Sequence, residues 1–327
     1  MGAFDGLKRC AALALVSVLI LALAACAPTE TIDQPPSPSA PVIEVPTIDQ
    51  VEHAQWRAEA LDWRERRYAR LIEPFGWLSL VALEPLKAGR WSVGSDKENH
   101  FNVSSGPVHW GDLVVLEDRV WFDPAAVSGM HLDGEPIDSG FDGEIELYAI
   151  TDGEPTAIEA GTVQIHLLPR AGQPVLRIRD HQSPTRTEFA GLDYFEFDPD
   201  WRITARWVPN APGQTLLVAN VLGELVNEPN PGMAEFEVNG QTAGLQAVLN
   251  SDGDQLFFIL ADRTSGRETY GLGRFLYSDL PKNGKVVLDF NRSYNPPCAF
   301  TAYSTCPLPP PENRLDLRIE AGELAYQ

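Results

Sequence analysis

The chain has 327 residues, with 46 Asp plus Glu against 25 Lys plus Arg, and its formal charge of −21 excludes nucleic-acid binding through a basic surface. At 44% hydrophobic and 9% aromatic residues it has the material for a core, so it is not a disordered chain, and its length suits one large domain or two ordinary ones. Gly 26 and Pro 27 point to frequent turns and few long helices.

In chain order, Lys8 and Arg9 precede an apolar run from Ala11 to Ala22 that is too short for a permanent spanning helix, and Leu23-Ala24-Ala25-Cys26 follows. This arrangement resembles the bacterial lipobox. The resemblance implies a signal peptide over residues 1–25 and lipid on Cys26, which would tether the protein to a membrane at about 0.8 kcal/mol per buried methylene. The alternative is an uncleaved N-terminal anchor with an incidental Cys. Ala27 stands where an Asp would resemble an inner-membrane retention signal, which favours the cell envelope, at the outer membrane facing the periplasm in a Gram-negative host. Residues 26–50 hold Pro28, Pro35, Pro36, Pro38, Pro41 and Pro46, the composition of an extended tether.

Ala54, Ala58, Leu61, Tyr68 and Ile72 recur at helical spacing and predict an amphipathic helix over 51–73, stopped by Pro74. Packing on the domain edge is favoured over lying on anionic lipid, because Glu52, Glu59, Asp62 and Glu65 dilute the arginines. Beyond Pro74, short apolar or alternating runs bounded by turn residues predict strands at 76–82, 113–117, 120–122, 145–150, 163–168, 203–208, 216–221, 234–238, 245–249, 256–260 and 286–290. Asn239-Gly240 is the sharpest hairpin signal, since a type I′ turn needs positive φ at both central residues. Pro169, Gly172 and Pro174 suggest a boundary. The expected fold is mainly β: a small sandwich over 74–175, then a larger antiparallel barrel or jelly-roll-like domain over 176–327, with one N-terminal helix.

If the signal is cleaved, Cys10 leaves with it, Cys26 carries lipid, and Cys298 and Cys306 remain. An oxidising envelope favours a disulfide between them, worth roughly 2–3 kcal/mol for so short a loop. Two free structural thiols or a nucleophilic Cys298 are the alternatives.

Several long stretches carry a family resemblance. Gly76-Trp77-Leu78, Gly94-Ser95-Asp96, the run from Thr264 through Gly271-Leu272-Gly273-Arg274-Phe275, and the run from Leu288 through Asn295-Pro296-Pro297-Cys298 to Arg314-Leu315 together resemble the domain of unknown function 1684 family, from about residue 56 to the C-terminus. The resemblance implies no established activity. Residues 94–103 and 127–137 resemble a forkhead-associated sandwich, a resemblance that implies either phosphothreonine binding or a scaffold. The Arg that would pair with phosphate is missing from Ser104-Ser105-Gly106-Pro107-Val108-His109, so the sandwich reads as scaffold.

No Walker A loop, Gly-x-Ser-x-Gly elbow, His-Glu-x-x-His, Cys-x-x-Cys or dinucleotide fingerprint is present, and neither a metal nor a cofactor is expected. Informative polar residues gather in the C-terminal half. Arg186, Arg274, Asn291 and Asn295 are candidates for holding a small polar or anionic ligand, beside Tyr294. Glu268, Asp289 and Tyr270 are candidates for an acid or base in an envelope hydrolase or lyase. The structural reading of the same residues pairs Arg274 with Asp289 in a buried salt bridge. A third class is a non-catalytic partner-binding lipoprotein using Trp56, Trp63 and Trp77.

Overall fold

Thr47 opens the first element. Its hydroxyl accepts the Gln50 N–H at 3.2 Å while the Gln50 side chain accepts the Thr47 N–H at 2.8 Å, a capping box that starts helix α1 (Ile48–Leu71) three residues before the apolar spacing suggests. The computed structural model describes residues 47–117, 119–147, 156–170 and 172–326. The signal segment, Cys26 and almost all of the tether lie outside them. Among the described residues no helix is long and apolar enough to cross a membrane.

The helix does pack on the rest of the chain, but the face it buries is turned about a third of a turn from the one its apolar spacing marks. Ala60, Arg67 and Leu71 are buried, whereas Leu61 is 46% and Tyr68 42% exposed. The reason is that polar groups make the inner contacts. Arg64 donates to the Phe195 carbonyl at 3.2 Å, and Arg67 donates to Glu323 at 3.0 Å and to the Asn295 carbonyl at 2.9 Å. The Arg67 guanidinium also lies 4.6 Å from the centre of the Tyr294 ring.

The first β-region contains β1 (Leu80–Pro85), β2 (Gly89–Gly94), β3 (Phe101–Asn102), β4 (Gly111–Leu116), β5 (Arg119–Pro124), β6 (Met130–Leu132), β7 (Glu135–Pro136), β8 (Ile145–Glu146), β9 (Ala157–Ala160), β10 (Val163–Arg170) and β11 (Gln173–Asp180). They form two sheets, β1-β11-β10-β9-β6-β7 and β3-β2-β4-β5-β8. The period-2 alternation of Leu113, Val115, Ile165, Leu167, Leu176 and Ile178 turns one face of each sheet into a shared core around Trp110 and Phe122. The boundary expected at 175 falls inside β11. Pro169 pairs with Pro174 and Arg170 with Gln173, so the Pro- and Gly-rich stretch is a hairpin end and not a linker. The connection to the second region runs through α2 (Pro184–Thr187).

The second region contains β12 (Arg202–Pro209), β13 (Thr215–Ala219), β14 (Leu225–Pro229), β15 (Gly232–Val238), β16 (Gln241–Leu249), β17 (Gln255–Leu260), β18 (Arg274–Asp279) and β19 (Lys285–Asp289). Six of them form a nearly closed barrel in the order β18-β17-β16-β15-β12-β19, with β13 and β14 as a separate ribbon. Ser278 on β18 donates to the Val287 carbonyl on β19 at 2.7 Å, drawing the two end strands together. Phe236, Leu245, Phe258, Leu276, Leu288 and Phe290 fill the interior, which Leu317 and Ile319 plug. At the β15–β16 hairpin Asn239 and Gly240 take φ of 52° and 76°, the two positive values that the Asn-Gly pair implies.

Candidate functional site

The polar residues singled out in the sequence lie at separate places. Arg274 projects from the start of β18 into the barrel, fully buried, and donates to Asp262 at 3.3 Å, to the Ile319 carbonyl at 3.0 Å and to the Ala321 carbonyl. Asp262 in turn accepts the Ile319 N–H at 2.7 Å and the Thr264 hydroxyl at 2.8 Å. Asp289 is therefore not the partner of Arg274; it pairs with Arg202 at 2.9 Å and Arg292 at 3.2 Å. Asn291 ties Asp289 to the Asp198 backbone, donating to the Asp198 carbonyl at 2.8 Å and accepting its N–H at 3.1 Å. Asn295 donates to the Leu324 carbonyl at 2.7 Å. Arg186 closes the C-terminal end of α1, donating to the Ile72 carbonyl at 2.9 Å and the His181 carbonyl at 2.7 Å.

The three acid–base candidates are also engaged. Glu268 accepts from Arg318 at 2.8 Å, which holds its carboxyl below the usual range. Tyr270 donates to the Cys298 carbonyl at 3.0 Å, and burial pushes its hydroxyl up. Of these residues Asp289 lines a cleft, together with Tyr294.

Cys298 and Cys306 are free thiols and not the disulfide expected. Their sulfurs are occupied by hydrogen bonds: the Cys298 N–H donates to Cys306 Sγ at 3.1 Å, and the Ser304 hydroxyl to Cys298 Sγ at 3.1 Å. A hydrogen bond from Cys306 pulls the Cys298 thiol down to about 6 against the effect of burial, and Cys306 is pushed up in return. Under reducing conditions at pH 7, iodoacetamide should therefore label half-buried Cys298 well before buried Cys306, as peptide mass spectrometry would read. Equal labelling would contradict the asymmetry.

The best-formed recess lies between α1 and the outer face of β17 and β18. Phe257 and Tyr277 are cross-strand partners, and their rings stack at 4.8 Å. Tyr294 continues the stack at 6.3 Å from Tyr277, and Trp63 of α1 packs on Tyr294 at 5.9 Å. This floor is shared by two adjoining clefts of about 310 and 680 Å³. The larger is walled by Arg66, Arg67 and Arg70 of α1 and by Arg179, against one carboxylate, Glu73. Arg67 is committed to Glu323 and Arg66 to Asp62. Arg70 is exposed and has no carboxylate partner among the described residues, and its charge acts on the Tyr277 hydroxyl, which burial pushes up.

The sequence reading missed this site. Leu256 to Leu260 is a continuous apolar run, a signal for a strand covered on both faces, and it hides which aromatic rings point outwards. Trp63, Trp77 and Tyr294, named in the sequence for other roles, do line it, and the signal left unused was Arg66 and Arg70, which stand four apart on one side of α1.

With the geometry in place, comparison with known proteins gives the following. The family model described as "Protein of unknown function (DUF1684)" matches residues 187–324, which covers the barrel, the β13–β14 ribbon and the segment that plugs the barrel. The uncharacterized protein from gene locus rrnAC0354 of Haloarcula marismortui, solved by solution NMR, is 30% identical, with 42% of this chain and 78% of that one covered and a TM-score of 0.36. No curated protein matches. The Gly271-Leu272-Gly273-Arg274 and Asn295-Pro296-Pro297-Cys298 stretches both fall inside the matched region, whereas Gly76-Trp77-Leu78 and Gly94-Ser95-Asp96 lie before it, and it is through its C-terminal region that the chain belongs to the DUF1684 family, whose function is unknown.

Proposed function

We propose that this chain is a cell-envelope protein, lipid-anchored through Cys26, that binds a small ring-bearing anion without transforming it. The anchor rests on the Leu23-Ala24-Ala25-Cys26 motif and the Pro-rich tether. The binding reading rests on one observation above the rest: an aromatic floor of Phe257 and Tyr277 faces an arginine wall on α1, in a chain of charge −21. A flat ring would pack on the exposed edge of the Phe257–Tyr277–Tyr294 stack, and its carboxylate or phosphate would meet Arg70 and Arg66. The ligand contacts belong to these residues, while Arg186, Arg274, Asn291 and Asn295 hold the frame. Binding is favoured over turnover because Glu268 and Asp289 are each neutralised by arginines and Tyr270 is tied to a carbonyl.

The test is calorimetric titration of residues 47–327 with aromatic carboxylates and phosphorylated aromatic compounds. Tyr277→Ala and Arg70→Ala should each weaken binding by about tenfold or more; exposed Arg70→Ala should hold its melting point within a few degrees, while Tyr277→Ala, which removes a ring stacked on Phe257, should melt somewhat earlier. Unchanged affinity in both variants would remove the cleft from consideration.

A further inference from the structure

A second recess lies on the outer face of the β1-β11-β10-β9 sheet. It is a cleft of about 420 Å³ lined by Asp133, Gln164, His166, Leu168, Arg177 and Arg179. Strand pairing builds it, because His166 stands opposite Arg177 and Gln164 opposite Arg179, so all four side chains share a face. Arg177 is 7% and His166 5% exposed.

Among the described residues three arginines are buried, Arg67, Arg177 and Arg274. Arg67 has Glu323 and Arg274 has Asp262, but no carboxylate pairs with Arg177. Its Nε is buried without an acceptor, and its close contact is the Trp77 ring at 5.6 Å, near the limit of a cation–π interaction. Among the described residues the carboxylates that stand on this face are in use, Asp133 accepting the Ala157 N–H at 2.8 Å and Glu159 accepting from Gln164 at 2.8 Å. A guanidinium taken out of water without a counterion is unfavourable, and it is sustained where a mobile anion completes the site.

We propose that this cleft binds a small soluble phosphate, inorganic or as a phosphomonoester. The Arg177 fork would take two phosphate oxygens, and His166 donates an N–H. Burial, then Arg179 and Arg177, push His166 down to about 3, so the ring is neutral at pH 7 and donates without adding charge. Sodium phosphate with sodium chloride as control, at matched ionic strength, keeps the probe simple. Arg179 lines both this cleft and the α1 cleft, but Arg70 lines the α1 cleft alone, so Arg70→Ala should leave the phosphate response intact.

Phosphate should raise the melting point of the wild type while chloride does not. Arg177→Met should lose that response and, in chloride, melt at or above the wild type, because it removes an uncompensated buried charge. Arg177→Lys should bind phosphate roughly tenfold more weakly, having charge but no fork. The proposal is overturned by a wild type that ignores phosphate, by a response that survives in Arg177→Met, or by an Arg177→Met that melts well below the wild type in chloride, which would make the guanidinium a packing element. Binding to phosphatidate vesicles with no response to free phosphate would overturn it too.

Discussion

Asp262→Asn is expected to destabilise the barrel by about 3–5 kcal/mol, the usual cost of leaving one member of a buried ion pair without the other. Both side chains are fully buried at 3.3 Å, and Arg274 also donates to the Ala321 and Ile319 carbonyls. The pair therefore joins β18 to the segment whose Leu317 and Ile319 plug the barrel. The Asp262 carboxylate accepts from Ile319 N–H and Thr264 as well, so the loss is not confined to one contact. Arg274→Met should be comparably severe, since it leaves the Asp262 charge buried. The double variant Asp262→Leu with Arg274→Met should be milder than the two single costs added together, because no charge is then stranded. Denaturant unfolding followed by tryptophan fluorescence measures all three, and a single-variant loss below about 1 kcal/mol would contradict this account.

The sequence makes the two β-regions legible because strands write their period directly into it. Leu113 and Val115 are buried while Asp112, Val114 and Leu116 are partly or fully exposed, and Asn239-Gly240 fixes a turn that few other pairs could form. The start of α1 was also readable, from Thr47 and Gln50, but a Pro-rich stretch just before it drew the boundary too late. What was not legible depends on contacts distant along the chain. Arg67 meets Glu323 across 256 residues, so no local pattern marks the arginine face of α1 as the inner one. Apolar spacing then nominated the outer face, where Leu61 and Tyr68 are exposed. Arg274 and Asp289 misled for a similar reason: both are good partners by chemistry, and only the fold decides that Asp262 takes the first and Arg202 and Arg292 the second. Arg177 was hidden by the Pro169 to Pro174 turn, which made the start of β11 look like a linker.

Glu323→Gln is expected to loosen α1 as well as to lower stability, again by about 3 kcal/mol or more. The Glu323 carboxylate is fully buried and accepts from Arg67 at 3.0 Å, the Asn295 N–H at 2.8 Å and the Tyr194 hydroxyl at 3.4 Å. Arg67 is the central inner contact of the helix, and it also reaches the Asn295 carbonyl and the Tyr294 ring. A neutral amide at 323 leaves a buried guanidinium without its counterion and presents an N–H₂ to donors. Amide exchange in α1 should then speed up more than exchange in β15 and β16, whose partners are untouched. Arg66 and Arg70 ride on the same helix, so the α1 cleft should lose affinity even though Glu323 does not line it. The phosphate response at Arg177 should persist, because that residue lies on the sandwich sheet. A double-mutant cycle with Arg67→Met separates the cases: a coupling of about 1–3 kcal/mol fits a pair that pins the helix. Additive losses would mean that α1 is held by its other contacts, Arg64 on the Phe195 carbonyl and Arg292 on Glu59, and that the wall of the cleft is set independently of Glu323.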